Sequence, residues 1–154
     1  MPIGALLLFA LVGPGVELGV GPYVLTRFEK GGWLPDADLV WILGALLLFA
    51  ALIVLFDAFR EFGRAGGTPS PMSPPPRPVT GGAYALVDHP MYMATVVGLI
   101  GEALILHQSI LMIAAAAYAA TMTFVVLRIE EPQLRQRFGE RWRSAGEEGD
   151  AGRL

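Results

Sequence analysis

The 154-residue chain contains no cysteine. That excludes a disulfide framework, a cysteine-ligated zinc site and thiol nucleophile chemistry, and it leaves the redox compartment unread. Charge is scarce too: charged residues are 16% of the chain and the net charge is −3. Phosphate binding needs a basic stripe, and here the arginines are scattered among acids, so no nucleic-acid partner is expected. No metal site is assigned either. What the chain has instead is apolar length, with 54% hydrophobic residues and a mean hydropathy of +0.54. That is too apolar for an ordinary soluble domain and points to a membrane protein.

A helix rises about 1.5 Å per residue, so an uncharged run of about 18 residues or more can cross a hydrocarbon core about 30 Å thick. Leu39 to Phe56 is such a run, and Ala103 to Leu127 is another, interrupted only by His107. Ile3 to Leu25 is apolar apart from Glu17, but Gly13-Pro14-Gly15 and Gly21-Pro22 predict a kinked or broken helix. The stretch from Met91 to Leu127 spans 37 residues, too long for one crossing and right for a hairpin turning at His107-Gln108-Ser109. The reading is therefore an all-α polytopic membrane protein of about four transmembrane helices.

Basic loops stay on the cytoplasmic side. Arg60, Arg64 and Arg77 lie between the second and third spans and six arginines follow the fourth, whereas the opposite side has only Arg27 and Lys30. Both termini and the long middle loop are thus expected in the cytoplasm, with the chain in a cytoplasmic membrane of prokaryotic type. The first 16 residues lack a basic n-region and a small-residue cleavage site, and read as a retained span.

Within one membrane domain, 1–154, residues 1–65 form two N-terminal spans, 66–90 a Pro/Gly-rich cytoplasmic loop and 91–129 a helical hairpin. Residues 130–143 form a C-terminal helix and 144–154 a disordered tail. The loop has six prolines between Pro69 and Pro78. It reads either as a stiff polyproline linker or as a shaped lid over a site. In the C-terminal helix Pro132 suits a helix start, and Leu134, Phe138 and Trp142 recur every four residues, the stripe of an amphipathic helix lying on a surface.

The hairpin brings distant residues together. If the third span starts after His89-Pro90 and the fourth returns at Glu130-Glu131, then His89, Tyr92 and two carboxylates cluster at one interface under a glycine-rich loop. Taken singly, His89 also reads as a loop histidine, Tyr92 as an interfacial anchor and the acids as a solvated helix end. An acidic pair at a helix C-terminus opposes the macrodipole and needs a compensating partner. Glu17 and Glu102 fall inside spans, where an ionisable group is costly and suggests a functional site. For Glu102 the candidate partners are His107, Thr121 and Thr123. Asp57 and Glu61 read as interfacial charges, and Gly98 and Gly101 as permitting close helix packing.

These residues, in this order, resemble the integral-membrane methyltransferases of the isoprenylcysteine carboxyl methyltransferase and phospholipid methyltransferase group. The stretch GGTPSPMSPPPRPVTGGAYALVDHPMYMATVVGLIGEALIL, a second apolar span and RIEEPQLRQRFGERW are similar to that group's Pro-rich loop, its G-x-Y then R-[HN]-P-x-Y-x-G signature, and its Glu-Glu pair. The resemblance covers roughly Gly66 to Trp142. It implies S-adenosylmethionine as cofactor, bound at the cytoplasmic face by Tyr84, His89, Pro90, Tyr92, Glu130 and Glu131. It also implies a lipophilic small-molecule methyl acceptor entering from the lipid bilayer. A carboxylate acceptor needs no general base, whereas an amine or hydroxyl does, and His89 and Glu102 are then the catalytic candidates.

Three positions depart from the pattern. Asp88 stands where the group has arginine, Ala94 replaces a glycine, and the tail after FGERW is short and polar. The resemblance implies an S-adenosylmethionine-dependent methyltransferase. The departures leave open a degenerate relative that keeps the fold as a membrane binding or scaffold protein. A reductase or isomerase of related membrane fold is a further alternative.

Overall fold

The computed structural model describes residues 3–69 and 75–139. The first crossing is α1 (Ile3–Val12), a π-turn (Val16–Val20) and α2 (Gly21–Thr26). After a loop comes α3 (Asp38–Ala65), then the Pro-rich connection with a short 3₁₀ turn at Gly82–Ala85. Then follow α4 (Pro90–Leu106), α5 (Ser109–Val125), a second π-turn (Val126–Glu130) and α6 (Glu131–Phe138). Three helical stretches, Leu7–Thr26, Asp38–Ala65 and Ser109–Arg137, are long and apolar enough to cross a membrane, and α4 is a shorter apolar helix of 17 residues. The protein is an all-α polytopic membrane protein. Residue 144 onward and Trp142 of the expected surface stripe lie outside the described residues.

Packing is that of a protein dissolved in lipid. The buried apolar positions are mostly small, among them Ala51, Ala58, Ala94, Ala103 and Ala115, while Leu39 is 77% and Phe56 72% exposed. Lipid is as apolar as leucine, so helices gain little by hiding large side chains from it and associate where small residues let backbones approach. The central contact is α3 against α4. There Gly44 and Gly101 face each other: a methyl group on Gly101 would stand 2.7 Å from the Gly44 carbonyl and 2.8 Å from the Leu48 nitrogen. Gly98 receives the Leu18 side chain, which seats the first crossing on α4.

The expected break in the first crossing takes a particular form. In each π-turn a backbone N–H reaches five residues back, Gly21 to the Val16 carbonyl and Glu131 to the Val126 carbonyl. A proline follows immediately in both cases, Pro22 and Pro132. A proline ring clashes with the carbonyl four residues back, and the wider π-turn makes room for it without ending the helix. Pro132 therefore starts α6 as expected, but no loop separates α6 from α5.

The hairpin turns where expected. His107 adopts a left-handed conformation (φ 51°) and closes α4 through its N–H to the Ala103 carbonyl. Its ring is buried, with Nδ1 3.0 Å from the Leu34 carbonyl. The loop before α3 covers this end: Gly31 N–H donates to the Leu106 carbonyl at 2.7 Å and Trp33 N–H to that of His107 at 3.3 Å. Carbonyls left open at a helix end thereby find donors. On the opposite side α3 ends at Gly66 (φ 84°), a conformation that favours glycine.

Candidate functional site

At the end of the bundle away from His107, three side chains from two helices converge. Tyr92, in the first turn of α4, donates its hydroxyl to Glu130 Oε2 at 3.0 Å across 38 residues of sequence. His89, immediately before α4, places Nδ1 3.7 Å from Glu130 Oε1. The His89 and Tyr92 rings stack, with centroids 5.8 Å apart and planes 18° from parallel. Pro90, fully buried, occupies the first position of α4, where its missing N–H costs nothing and its fixed φ suits the helix. The helical rise and the hairpin turn suffice to bring these groups together.

Tyr84 approaches from the loop. Its ring meets Phe62 edge-on at 5.6 Å. Burial pushes its phenol well above the ordinary tyrosine range, and the Glu130 carboxylate and Tyr92 add to the shift. Tyr84 is therefore a neutral hydroxyl facing a carboxylate.

Asp57 and Glu61, read from sequence as interfacial charges, instead hold this loop. Asp57 Oδ2 accepts the Ala83 N–H at 2.8 Å. The Glu61 and Asp57 carboxylates fill the space that side chains on Gly81 and Gly82 would need. Arg60 pairs with Asp57 at 2.8 Å and Arg64 with Glu61 at 2.6 Å, which offsets the negative charge. At its other end the loop meets α6, where Arg137 Nη2 donates to the Pro75 carbonyl at 3.2 Å. The signal in sequence was two acids one helical turn apart, with a glycine pair elsewhere in the chain, but spacing does not reveal that they touch.

The structure thus brings together His89, Tyr92 and Glu130, with Tyr84 beside them. It does not bring Glu131 into the same contact: Glu131 Oε2 lies 3.8 Å from Arg135 of its own helix. Nor does it bring Glu102, which is 13 residues beyond His89 in the chain and about 20 Å away along α4. Glu102 Oε2 is buried and has no hydrogen-bond partner among the described residues. Its proposed threonine partners are engaged elsewhere, Thr121 with the Ala117 carbonyl and Thr123 with that of Ala119, each at 2.8 Å. Asp88 is exposed, while Ala94 is buried against α3 beside Ala51 and Leu55. The methyl group gained at Ala94 therefore fills helix packing.

The fold and this cluster define a polytopic helical protein with a polar site at one end of an apolar hairpin. Residues 39–141 match the phospholipid methyltransferase family model, and the chain belongs to that family of membrane methyltransferases. The match takes in α3 to α6 and leaves out the first crossing. Comparison with curated proteins and with solved structures returns no match.

Proposed function

We propose that this protein transfers a methyl group from S-adenosylmethionine to a lipophilic small molecule, with the cofactor held by Tyr84, His89, Tyr92 and Glu130. The observation that carries this reading is the Tyr92–Glu130 hydrogen bond with His89 stacked beside it. The donor set suits the cofactor. A carboxylate supported by two aromatic rings offers negative charge to a sulfonium and an amino group, and acceptor oxygens to ribose hydroxyls. Pro90 acts through the backbone, fixing where α4 begins. Glu131, beside Arg135, is assigned an outer role.

Methyl transfer is an in-line displacement, for which the cofactor supplies an activated methyl group. The chain's task is to orient two reactants and keep water away. Orientation alone can lower such a barrier by about 7 to 11 kcal/mol, so a small helical bundle needs no elaborate machinery. Tyr84 and the anchored Gly81–Ala85 turn form the cover of the site, while the apolar faces of the bundle admit the acceptor from the bilayer. For a hydroxyl acceptor, His89 is the candidate base at the cluster. We place the site, the middle loop and both termini on the cytoplasmic side of a cytoplasmic membrane, because basic residues concentrate there.

The test is calorimetric titration of the detergent-purified protein with S-adenosylhomocysteine. Saturable binding is expected, weakened about ten-fold or more in Glu130→Gln and also weakened in His89→Ala. Absence of binding to folded protein would overturn this reading and favour the scaffold alternative suggested by Asp88.

A further inference from the structure

Glu17 is a charge in the first crossing, outside the segment the family match covers. The π-turn at Val16–Val20 carries it, and Leu18, packed into the space over Gly98, fixes that turn against α4. One helical turn earlier on α4, Thr95 Oγ1 donates to Glu17 Oε2 at 3.1 Å. Thr95 is almost wholly buried, and the Tyr118 hydroxyl of α5 faces both Thr95 and the Glu17 carboxylate. Three residues separate Thr95 from Tyr92, so the two share a face of α4. Hydroxyl groups therefore line a path from Glu130 at the loop end to Glu17, about 4.5 Å further in along the helix.

Among the described residues no lysine, arginine or histidine pairs with Glu17. A carboxylate at this depth is costly to keep without a positive partner. Thr95 steadies it by donation but does not neutralise it. Glu17 is also only half-buried, which leaves it open to a ligand. Its complement is a group that brings both positive charge and a proton.

We propose that Glu17, held by Thr95 beside Tyr118, is the acceptor-side residue of the site, receiving the ammonium headgroup of a lipophilic amine and taking its proton. This rests on the methyl-transfer reading above and extends it to the second substrate. An ammonium nitrogen has no free pair. Passing one N–H proton to the Glu17 carboxylate leaves a carboxylic acid and a neutral amine. The nitrogen pair then forms the new N–C bond as the C–S bond breaks, its electrons staying on sulfur, and the product leaves as a methylammonium. A carboxylate acceptor would bring a second negative charge to Glu17 and has no proton to give.

The test is binding rather than turnover. Dodecylamine and dodecanoate serve as probes, titrated into the full-length protein in an uncharged detergent, with and without S-adenosylhomocysteine. The wild type is expected to bind the amine at least ten-fold more tightly than the carboxylate. In Glu17→Gln that preference should shrink to less than three-fold, with S-adenosylhomocysteine affinity unchanged within two-fold. Equal binding of the two probes by the wild type, or a preference retained in Glu17→Gln, would overturn the assignment. Should Glu17→Gln fail to fold, Thr95→Val, which removes the hydroxyl that holds the carboxylate, is expected to reduce the amine preference at least three-fold, and an unchanged preference would overturn the assignment. An amine preference in protein that does not bind S-adenosylhomocysteine would refute the methyl-transfer reading while leaving the Glu17 amine site standing.

Discussion

Gly82 has a positive φ of 57°, and a side chain there would run into the Asp57 carboxylate. Gly82→Ala is accordingly expected to cost roughly 1 to 2 kcal/mol from the left-handed backbone alone. It should also loosen the turn that carries Tyr84, read as a lower melting temperature in detergent together with weaker S-adenosylhomocysteine binding. A melting temperature and affinity equal to wild type would show that Asp57 does not anchor the turn. The adjacent acids make a second case at this scale. Glu130 reaches Tyr92 whereas Glu131 turns to Arg135, because consecutive residues on a helix point about 100° apart. Glu131→Gln is expected to change cofactor affinity less than three-fold where Glu130→Gln changes it ten-fold, and equal losses would mean both carboxylates reach the ligand. In sequence the two glutamates were indistinguishable. Tyr92 and His89 were legible because a span had to start at Pro90, but the roles of Asp57, Thr95 and Tyr118 depend on contacts between segments far apart in the chain.

At the scale of the element, proline position decides where the carboxylates point. Replacing Pro132 with alanine restores an N–H that can bond the Arg128 carbonyl and lets the π-turn revert to ordinary helix. That removes one residue from the turn and swings Glu130 by about 100° away from Tyr92. Pro132→Ala should therefore weaken S-adenosylhomocysteine binding about ten-fold with thermal stability unchanged or slightly raised. Unaltered affinity would mean the π-turn is set by packing rather than by the proline. The α3–α4 contact gives the opposite pattern. Gly101→Val drives methyl groups into the Gly44 carbonyl 2.7 Å from the first added carbon, and overpacking of this kind costs roughly 1 to 3 kcal/mol. Gly19→Ala, with nothing within 4 Å of the added carbon, is the control and should be neutral or mildly stabilising. A similar melting temperature for both variants would refute close glycine packing as the basis of the interface. The break in the first crossing was legible from its glycines and prolines. That both breaks are π-turns of identical register before a proline was not, since periodicity alone gives no sign of one extra residue in a turn.

For the whole molecule, charge distribution sets orientation and the absence of cysteine makes it simple to measure. A single cysteine at Lys30 should react with a membrane-impermeant maleimide added outside intact cells, and one at Arg77 only after permeabilisation. The reverse pattern would put the loop and its site on the outer face. Both positions are exposed, so access is limited by the bilayer and not by the fold.

Composition and run length by themselves determined that the chain is helical and membrane-embedded, and where the hairpin turns. Those properties follow from the transfer of whole segments into hydrocarbon, which is additive along the chain and can be read locally. Tertiary structure alone decided which acids face which donors: Glu130 the Tyr92 hydroxyl, Asp57 the Ala83 N–H, Glu17 the Thr95 hydroxyl. These contacts are fixed by the rotation of each helix about its axis. That rotation is set by glycine contacts and two inserted π-turn residues, small geometric quantities to which the hydrophobic pattern of a lipid-facing helix is nearly blind.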